Sequence, residues 1–280
     1  MDRPLAGPGG EPRPSEDRLF VGGGARRADR PVRDSPWLYN ATLAWAPKPW
    51  LGFYGGLTHG LEESAGPPAS AANRDAAVPA SRTRQADAGV RVVWNKLRLV
   101  AGVFEIERPY YSVGADNLYR ELGEVRNRGA EVSLTGALTE RLSVVAGLVL
   151  MDPRVTGEAF DAGRVGKRPV NATTRSARVD LEYRVPALDG LSLNLAVQHT
   201  GDLAASTAGY AALGGRQLTV PSATTLDLGA RYRFAVAGAP VTARAQVLNV
   251  LGVRRPTVTA SNAFTSADTR RFTLQLAADF

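Results

Sequence analysis

The chain has 280 residues with no cysteine, 34 Lys plus Arg against 27 Asp plus Glu, two histidines, 29 glycines and 18 prolines, and a formal charge of +7. Without cysteine there is no disulfide framework, no thiolate nucleophile and no Cys-based zinc or iron–sulfur site. The arginines are spread along the chain rather than gathered into the basic blocks of a nucleic-acid binder, and no run reaches the eighteen or so apolar residues that a transmembrane helix requires.

Residues 1–36 are rich in Pro, Gly, Arg and Asp, with one apolar patch at Leu19-Phe20-Val21, and read as a loop-like or disordered segment. This start also lacks the basic region and apolar stretch of a secretory signal. From Trp37 the pattern changes to repeated alternation. Strands are expected over 37–45, 50–60, 83–94, 97–107, 126–138 and 142–152. The alternation is clearest further on. Ala177, Val179, Leu181, Tyr183 and Val185 are apolar, and Arg178, Asp180, Glu182 and Arg184 between them are charged. Leu191, Leu193, Leu195 and Val197, then Leu226, Leu228, Ala230, Tyr232 and Phe234, then Val241, Ala243, Ala245 and Val247, repeat the pattern with polar partners between. The last strand puts Phe272, Leu274, Leu276, Ala278 and Phe280 on one face and Arg271, Thr273, Gln275 and Asp279 on the other.

Period two by itself means only an all-β fold. The connections narrow it. Short turns are expected at 46–49, 95–96, near Thr139, at 186–189 and at 237–239. Long polar connections are expected at 61–82, 109–115, 153–171, 202–217 and 253–268. The two kinds alternate provided that 117–138 is one long strand. An antiparallel up-and-down meander with short turns at one end and long loops at the other is the layout of a transmembrane β-barrel. A Greek-key sandwich would not sort its connections this way. Trp37, Trp45, Trp50, Trp94 and Phe280 fall at or near strand ends, as an interfacial aromatic girdle requires.

Little in the sequence speaks for catalysis. His59 and His199 lack nearby carboxylates that would make them a metal pair. There is no Gly-x-Ser-x-Gly elbow. The glycines at 22–24 and 214–215 lack the setting of a phosphate loop. Lumen-facing Arg178, Arg184, Arg231, Arg244 and Arg271 either attract an anionic solute or pair with Asp180, Glu182, Asp227 and Asp279. Arg108, Tyr110, Tyr111 and Tyr119 stand where a long loop meets two strands, and aromatic and guanidinium groups suit a planar anionic chelate.

Specific segments carry a resemblance. Gly123-Glu124-Val125-Arg126-Asn127-Arg128-Gly129-Ala130-Glu131-Val132 resembles the Gly-Glu-x-Arg-x-Arg-Gly-x-Glu strand of TonB-dependent siderophore receptors. In the order that family shows come Pro79 to Gly89, Val103-Phe104-Glu105-Ile106, Arg168-Pro169-Val170, Val220-Pro221-Ser222 with the strand 226–232, Val247-Leu248-Asn249-Val250-Leu251, and the terminal Phe280. The resemblance covers roughly 37–280 and implies the C-terminal part of the barrel, about eleven strands of roughly twenty-two. Signal peptide, TonB-contacting segment, plug and first half of the barrel have no counterpart.

The resemblance implies an outer-membrane transporter of ferric siderophores without enzymatic activity, in which iron enters only within the chelate. The implied partners are the siderophore, outer-membrane lipid, the TonB complex through the missing plug, and the barrel-assembly machinery through the Phe280 strand, which would pair with a first strand absent from this chain. Nucleic acid is not among them. The rival readings are an outer-membrane barrel esterase or phospholipase and a non-functional remnant. The enzyme would need Ser192 and His199 together, yet their odd separation sends them to opposite faces.

Overall fold

The computed structural model describes residues 36–266 and 269–278. The expected loop-like segment 1–36 therefore lies outside the described residues up to position 35, as do Asp279 and Phe280. Eleven strands form one antiparallel sheet. They are β1 (Tyr39–Lys48), β2 (Leu51–Glu62), β3 (Ser81–Trp94), β4 (Leu97–Val113), β5 (Tyr119–Ala137), β6 (Leu142–Thr156), β7 (Arg175–Arg184), β8 (Leu191–Thr200), β11 (Ala223–Val236), β12 (Ala239–Leu248) and β15 (Arg271–Ala278). Each pairs with its neighbour in this order, and β1 and β15 each have a single partner strand.

The register sorts the side chains as the alternation requires. Across β7, β8, β11, β12 and β15 the paired positions Leu181, Leu195, Leu228, Val247 and Phe272 make one row, with a second row at Tyr183, Leu193, Ala230, Ala245 and Leu274. These apolar rows lie on an open face, where Leu274 is 84% exposed, and that face is the one a bilayer solvates. The opposite face carries Arg178, Asp180, Glu182, Asn194 and Arg231. Arg178 makes two 2.7 Å bonds to the Asp180 carboxylate, and Arg231 pairs with Glu182. Polar groups that bond one another there satisfy the interior of a barrel wall.

Six of the outward aromatics lie at the short-turn end. Trp45, Phe53, Trp94, Tyr183, Tyr232 and Phe234 all lie there, with Trp45 stacked on Phe53 at 5.6 Å between ring centroids and Tyr232 on Phe234 at 5.3 Å. Such rings settle where hydrocarbon meets headgroups. At the other end β4 to β6, with 17, 19 and 15 residues, exceed the 9–11 or so that cross a bilayer. Their outward positions turn from apolar to charged at Glu105. From there Arg128 bonds Glu105 at 2.7 Å, Arg126 pairs with Glu107, and Arg154 pairs with Asp152. This ladder marks where the strands leave the apolar layer, since unscreened charge is not tolerated within it.

The structure departs from the sequence expectations in the connections. The strand expected at 97–107 runs on to Val113, so the connection expected at 109–115 shrinks to residues 114–118, and Tyr110 and Tyr111 sit on β4 in a protruding hairpin with Tyr119 of β5 rather than in a loop. The interval 117–138 is indeed one strand, Tyr119–Ala137. Three of the long connections carry secondary structure of their own. One holds helix α1 (Glu158–Asp161). Another holds the hairpin β9 (Leu203–Tyr210) with β10 (Arg216–Val220). A third holds β13 (Thr257–Ala260) with β14 (Ala263–Thr265). Ala205, Val220 and Val258 bury one another there, with Val170, Leu203 and Leu218 packed around them. The sequence LAASTAGY hides this strand because small residues carry almost no hydropathic alternation.

Candidate functional site: a cavity at the long-loop end

The end of β4 and the start of β5 rise above the charged ladder, and their inner side is closed by a small apolar core. Leu122, Val125, Val155, Ala159 and Val165 are buried together, and Tyr110 packs on them. This core fixes the hairpin against α1. Beside it lies a cavity of about 410 Å³ lined by Arg108, Tyr110, Tyr111 and Tyr119, with Glu62, Ser64, Ser81, Arg168 and Thr207 among the polar groups of its rim. All four residues expected from the sequence thus line one cavity.

Tyr111 and Tyr119 face each other with ring centroids 5.9 Å apart and planes inclined by 31°. The Arg108 guanidinium approaches Glu62 at 4.0 Å, with both side chains about half exposed, a contact too open to hold it firmly. Arg168 is tied down: it donates to the Asp202 carboxylate at 2.7 Å. Its backbone N–H donates to Gln217 Oε1 at 3.0 Å, and Gln217 Nε2 returns a bond to the Arg168 carbonyl at 2.8 Å. Gln217 Nε2 also donates to the Ser206 carbonyl at 2.7 Å, so one side chain fastens the connection after β6 to the β9–β10 hairpin. Ser64 bonds Ser81 at 2.9 Å across the mouth. Glu62, Ser64, Ser81 and Thr207 carried no signal in the sequence, because they reach the cavity through the order of the loops.

The α1 side of the core depends on one carboxylate. Glu158 accepts two bonds from Arg120, at 2.9 and 3.1 Å, and one from Arg164 at 2.9 Å. The Arg120 guanidinium first, and Arg164 second, hold its carboxyl below the ordinary glutamate value. A folded-state pKa below the unfolded one gives stability that is present above the unfolded value and is lost as pH falls through the folded one. Hydrogen exchange of the α1 amides should therefore accelerate, relative to intrinsic rates, on acidification below the ordinary glutamate range. Glu158→Gln should remove that pH dependence; persistence of the dependence in this variant would show that another group carries it.

Where the enzyme reading needed a pair, there is none. Ser192 is buried on the inner side of β8, and His199, on the outer side, bonds Thr224 at 2.9 Å. Among the described residues no group of His, Asp and Glu is arranged to hold a metal ion.

The model of the TonB dependent receptor-like β-barrel family matches residues 14–250. The chain belongs to this family. The match begins ahead of the alternating region, at a point the resemblance did not reach. A ferrichrome receptor of Yersinia enterocolitica, FcuA, is 30% identical over 173 residues, which are 61% of this chain and 22% of that receptor. The ferric preacinetobactin receptor BauA of Acinetobacter baumannii shares the fold with a TM-score of 0.72 at 25% identity, covering 87% of this chain and 36% of BauA. The ferripyoverdine receptor of the outer membrane of Pseudomonas aeruginosa has a TM-score of 0.69 at 16% identity, covering 88% of this chain and 33% of its own, and supports the fold alone. The chain thus spans about a fifth to a third of the lengths of these relatives.

As a TonB-dependent receptor barrel segment the chain is an outer-membrane protein, and its family is one of receptors rather than enzymes. The orientation follows from the barrel class: short turns and the aromatic belt of Trp45 and Trp94 lie toward the periplasm, and the cavity opens toward the cell exterior.

Proposed function

We propose that residues 37–280 form the ligand-facing wall of an outer-membrane receptor that imports a ferric siderophore, and that the cavity of Arg108, Tyr110, Tyr111 and Tyr119 contacts the chelate. The observation that carries this reading is the convergence of the loosely held Arg108 guanidinium and three phenols on a single cavity at the long-loop end. Tyrosine side chains offer the chelate apolar contact area with a hydroxyl at the tip, and a loosely paired arginine attracts negative charge on it. Iron takes part only within the chelate. In the whole receptor, energy would reach the ligand through a plug segment contacting the TonB complex, and the β15 strand with Phe280 would engage the assembly machinery and lipid. The names of FcuA and BauA make ferrichrome and preacinetobactin the first candidates to try.

The test is iron-limited growth and radiolabelled iron uptake in a strain whose sole importer is the full-length receptor. One siderophore should restore growth. Tyr111→Ala and Arg108→Ala should each weaken binding of that siderophore about tenfold while the receptor remains at normal level in the outer membrane. A correctly inserted receptor that imports iron from no siderophore would overturn the proposal.

A further inference from the structure

Two walls of the tyrosine cavity come from different parts of the chain. One is the neck of the connection between β2 and β3, which supplies Glu62, Ser64 and Ser81, and the other is the β4–β5 hairpin, which supplies Tyr111 and Tyr119. The ladder that joins β3 to β4 runs only as far as Arg84 and Glu107. The cavity lies beyond that pair, so something other than strand pairing has to hold these walls at their spacing. The Arg108–Glu62 contact crosses between them, but at 4.0 Å and half exposed it is weak.

The neck is closed by one hydroxyl. Ser64 Oγ donates to the Pro79 carbonyl at 2.7 Å and, its hydrogen so used, accepts from Ser81 at 2.9 Å. From this neck the segment 65–80 reaches across to the hairpin. Its own turns shape it: the Ala71 N–H donates to the Pro68 carbonyl at 2.9 Å, Arg74 to Ala71 at 3.1 Å and Ala76 to Asn73 at 2.8 Å. Pro67 and Pro68 stiffen the approach, and Ala71 is fully buried under the curl.

At the far side of the curl the Asn73 carboxamide takes the place of a strand partner. Its Nδ2 donates to the Tyr119 carbonyl at 2.8 Å, and its Oδ1 accepts the Tyr119 N–H at 2.7 Å. A residue on a neighbouring antiparallel strand exchanges the same two bonds. The Ala72 N–H adds a third, to the Asn117 carbonyl at 2.8 Å. Only a carboxamide offers donor and acceptor side by side at this reach; alanine offers neither, and an ionised aspartate the acceptor alone. Tyr119, whose ring faces Tyr111, thus takes its backbone position from a residue 46 places earlier that does not itself line the cavity.

We propose that Asn73 is a positioning residue that sets the width of the tyrosine cavity by fastening its two walls, and so limits the size of what the cavity admits. The consequence for a chelate rests on the function proposed above; the fastening itself does not. With Asn73 in place the cavity is held ready for its ligand, and little ordering is left to be done on binding. When the carboxamide is removed, the Tyr119 N–H and carbonyl turn to water and the walls separate.

The test reads the width with probes of two sizes. Ser81→Cys puts a thiol in the lining of the cavity, within a chain that has no cysteine of its own. In the full-length receptor with this change, labelling rates are measured with iodoacetamide, which is small, and with fluorescein maleimide, which is bulky; labelling of the receptor without Ser81→Cys is subtracted. Adding Asn73→Ala should speed the maleimide about tenfold, the effect of losing roughly 1.4 kcal/mol of hydrogen bonding, and iodoacetamide far less. Asn73→Asp keeps the bond from the Tyr119 N–H, so its maleimide rate should fall between, and it decides the matter if Asn73→Ala does not fold. Hydrogen exchange across 126–134 should stay at its parent rates, because that ladder does not depend on Asn73. An unchanged maleimide rate overturns the proposal. So does equal acceleration of the two reagents, the signature of a general loosening rather than a wider cavity. Size-selective acceleration in a receptor that imports no siderophore would leave the role of Asn73 standing while the proposed function fell.

Discussion

Arginine in place of Leu228 should cost about 2–4 kcal/mol of stability in a phospholipid bilayer, the price of a cation near the midplane on the lipid side of a barrel. Leu228 lies in the row that joins Leu195 on one neighbour to Val247 on the other, with Tyr232 and Phe234 nearer the short-turn end. Its surroundings on that face are aliphatic on both sides, so a guanidinium introduced there finds no acid. The matching luminal change is Gln246→Arg. Gln246 pairs across from Gly229, and the same inner face carries Asp227 and Glu182. There the added charge meets water and carboxylates, and the cost should stay below about 1 kcal/mol. Equilibrium urea unfolding in vesicles measures both. Equal costs for the two, or a larger cost for Gln246→Arg, would mean that the faces have been assigned the wrong way round.

That assignment was already legible in residues 177–185 and 226–234, where period two is nearly perfect, because each side chain there has only lipid or lumen to answer to. Legibility fades where a strand leaves the membrane. Beyond Glu105 the outward positions of β4 and β5 carry Glu107, Arg126 and Arg128, so both faces are polar and the alternation disappears. The pattern consequently ended β4 at residue 107 and missed its continuation to Val113. The four residues of the tyrosine cavity were still visible, since aromatic residues are conspicuous in a polar stretch. Their rim was not. Arg168 and Thr207 come from long connections whose mutual packing, tied by Gln217, rests on Ala205, Val220 and Val258, residues too small or too scattered to announce a core.

The second glycine of the receptor-like segment 123–132, Gly129, has a physical cause. Gly129 has extended backbone, and its need for hydrogen in place of a side chain comes from contact. A Cβ there would lie 2.5 Å from Phe104 Cζ and 2.6 Å from the Leu150 carbonyl oxygen, both closer than carbon can approach. Phe104 and Gly129 are direct register partners on β4 and β5, so the ring lies across the glycine on the luminal side. The same arrangement recurs one strand away, where Tyr54 covers Gly89 and Gly102. Aromatic cover of this kind protects strand glycines that would otherwise weaken the sheet. Gly129→Val should therefore destabilise the barrel by about 1–3 kcal/mol through overpacking and lower the amount that reaches the outer membrane. Phe104→Ala should cost stability as well, by uncovering the glycine. Combining Phe104→Ala with Gly129→Val should cost less than the sum of the two single changes, because the ring is one of the two obstacles. Recovery should stay incomplete, since the Leu150 carbonyl remains in the way whatever occupies position 104. Strict additivity in that cycle would show that the glycine is required for a reason other than the ring.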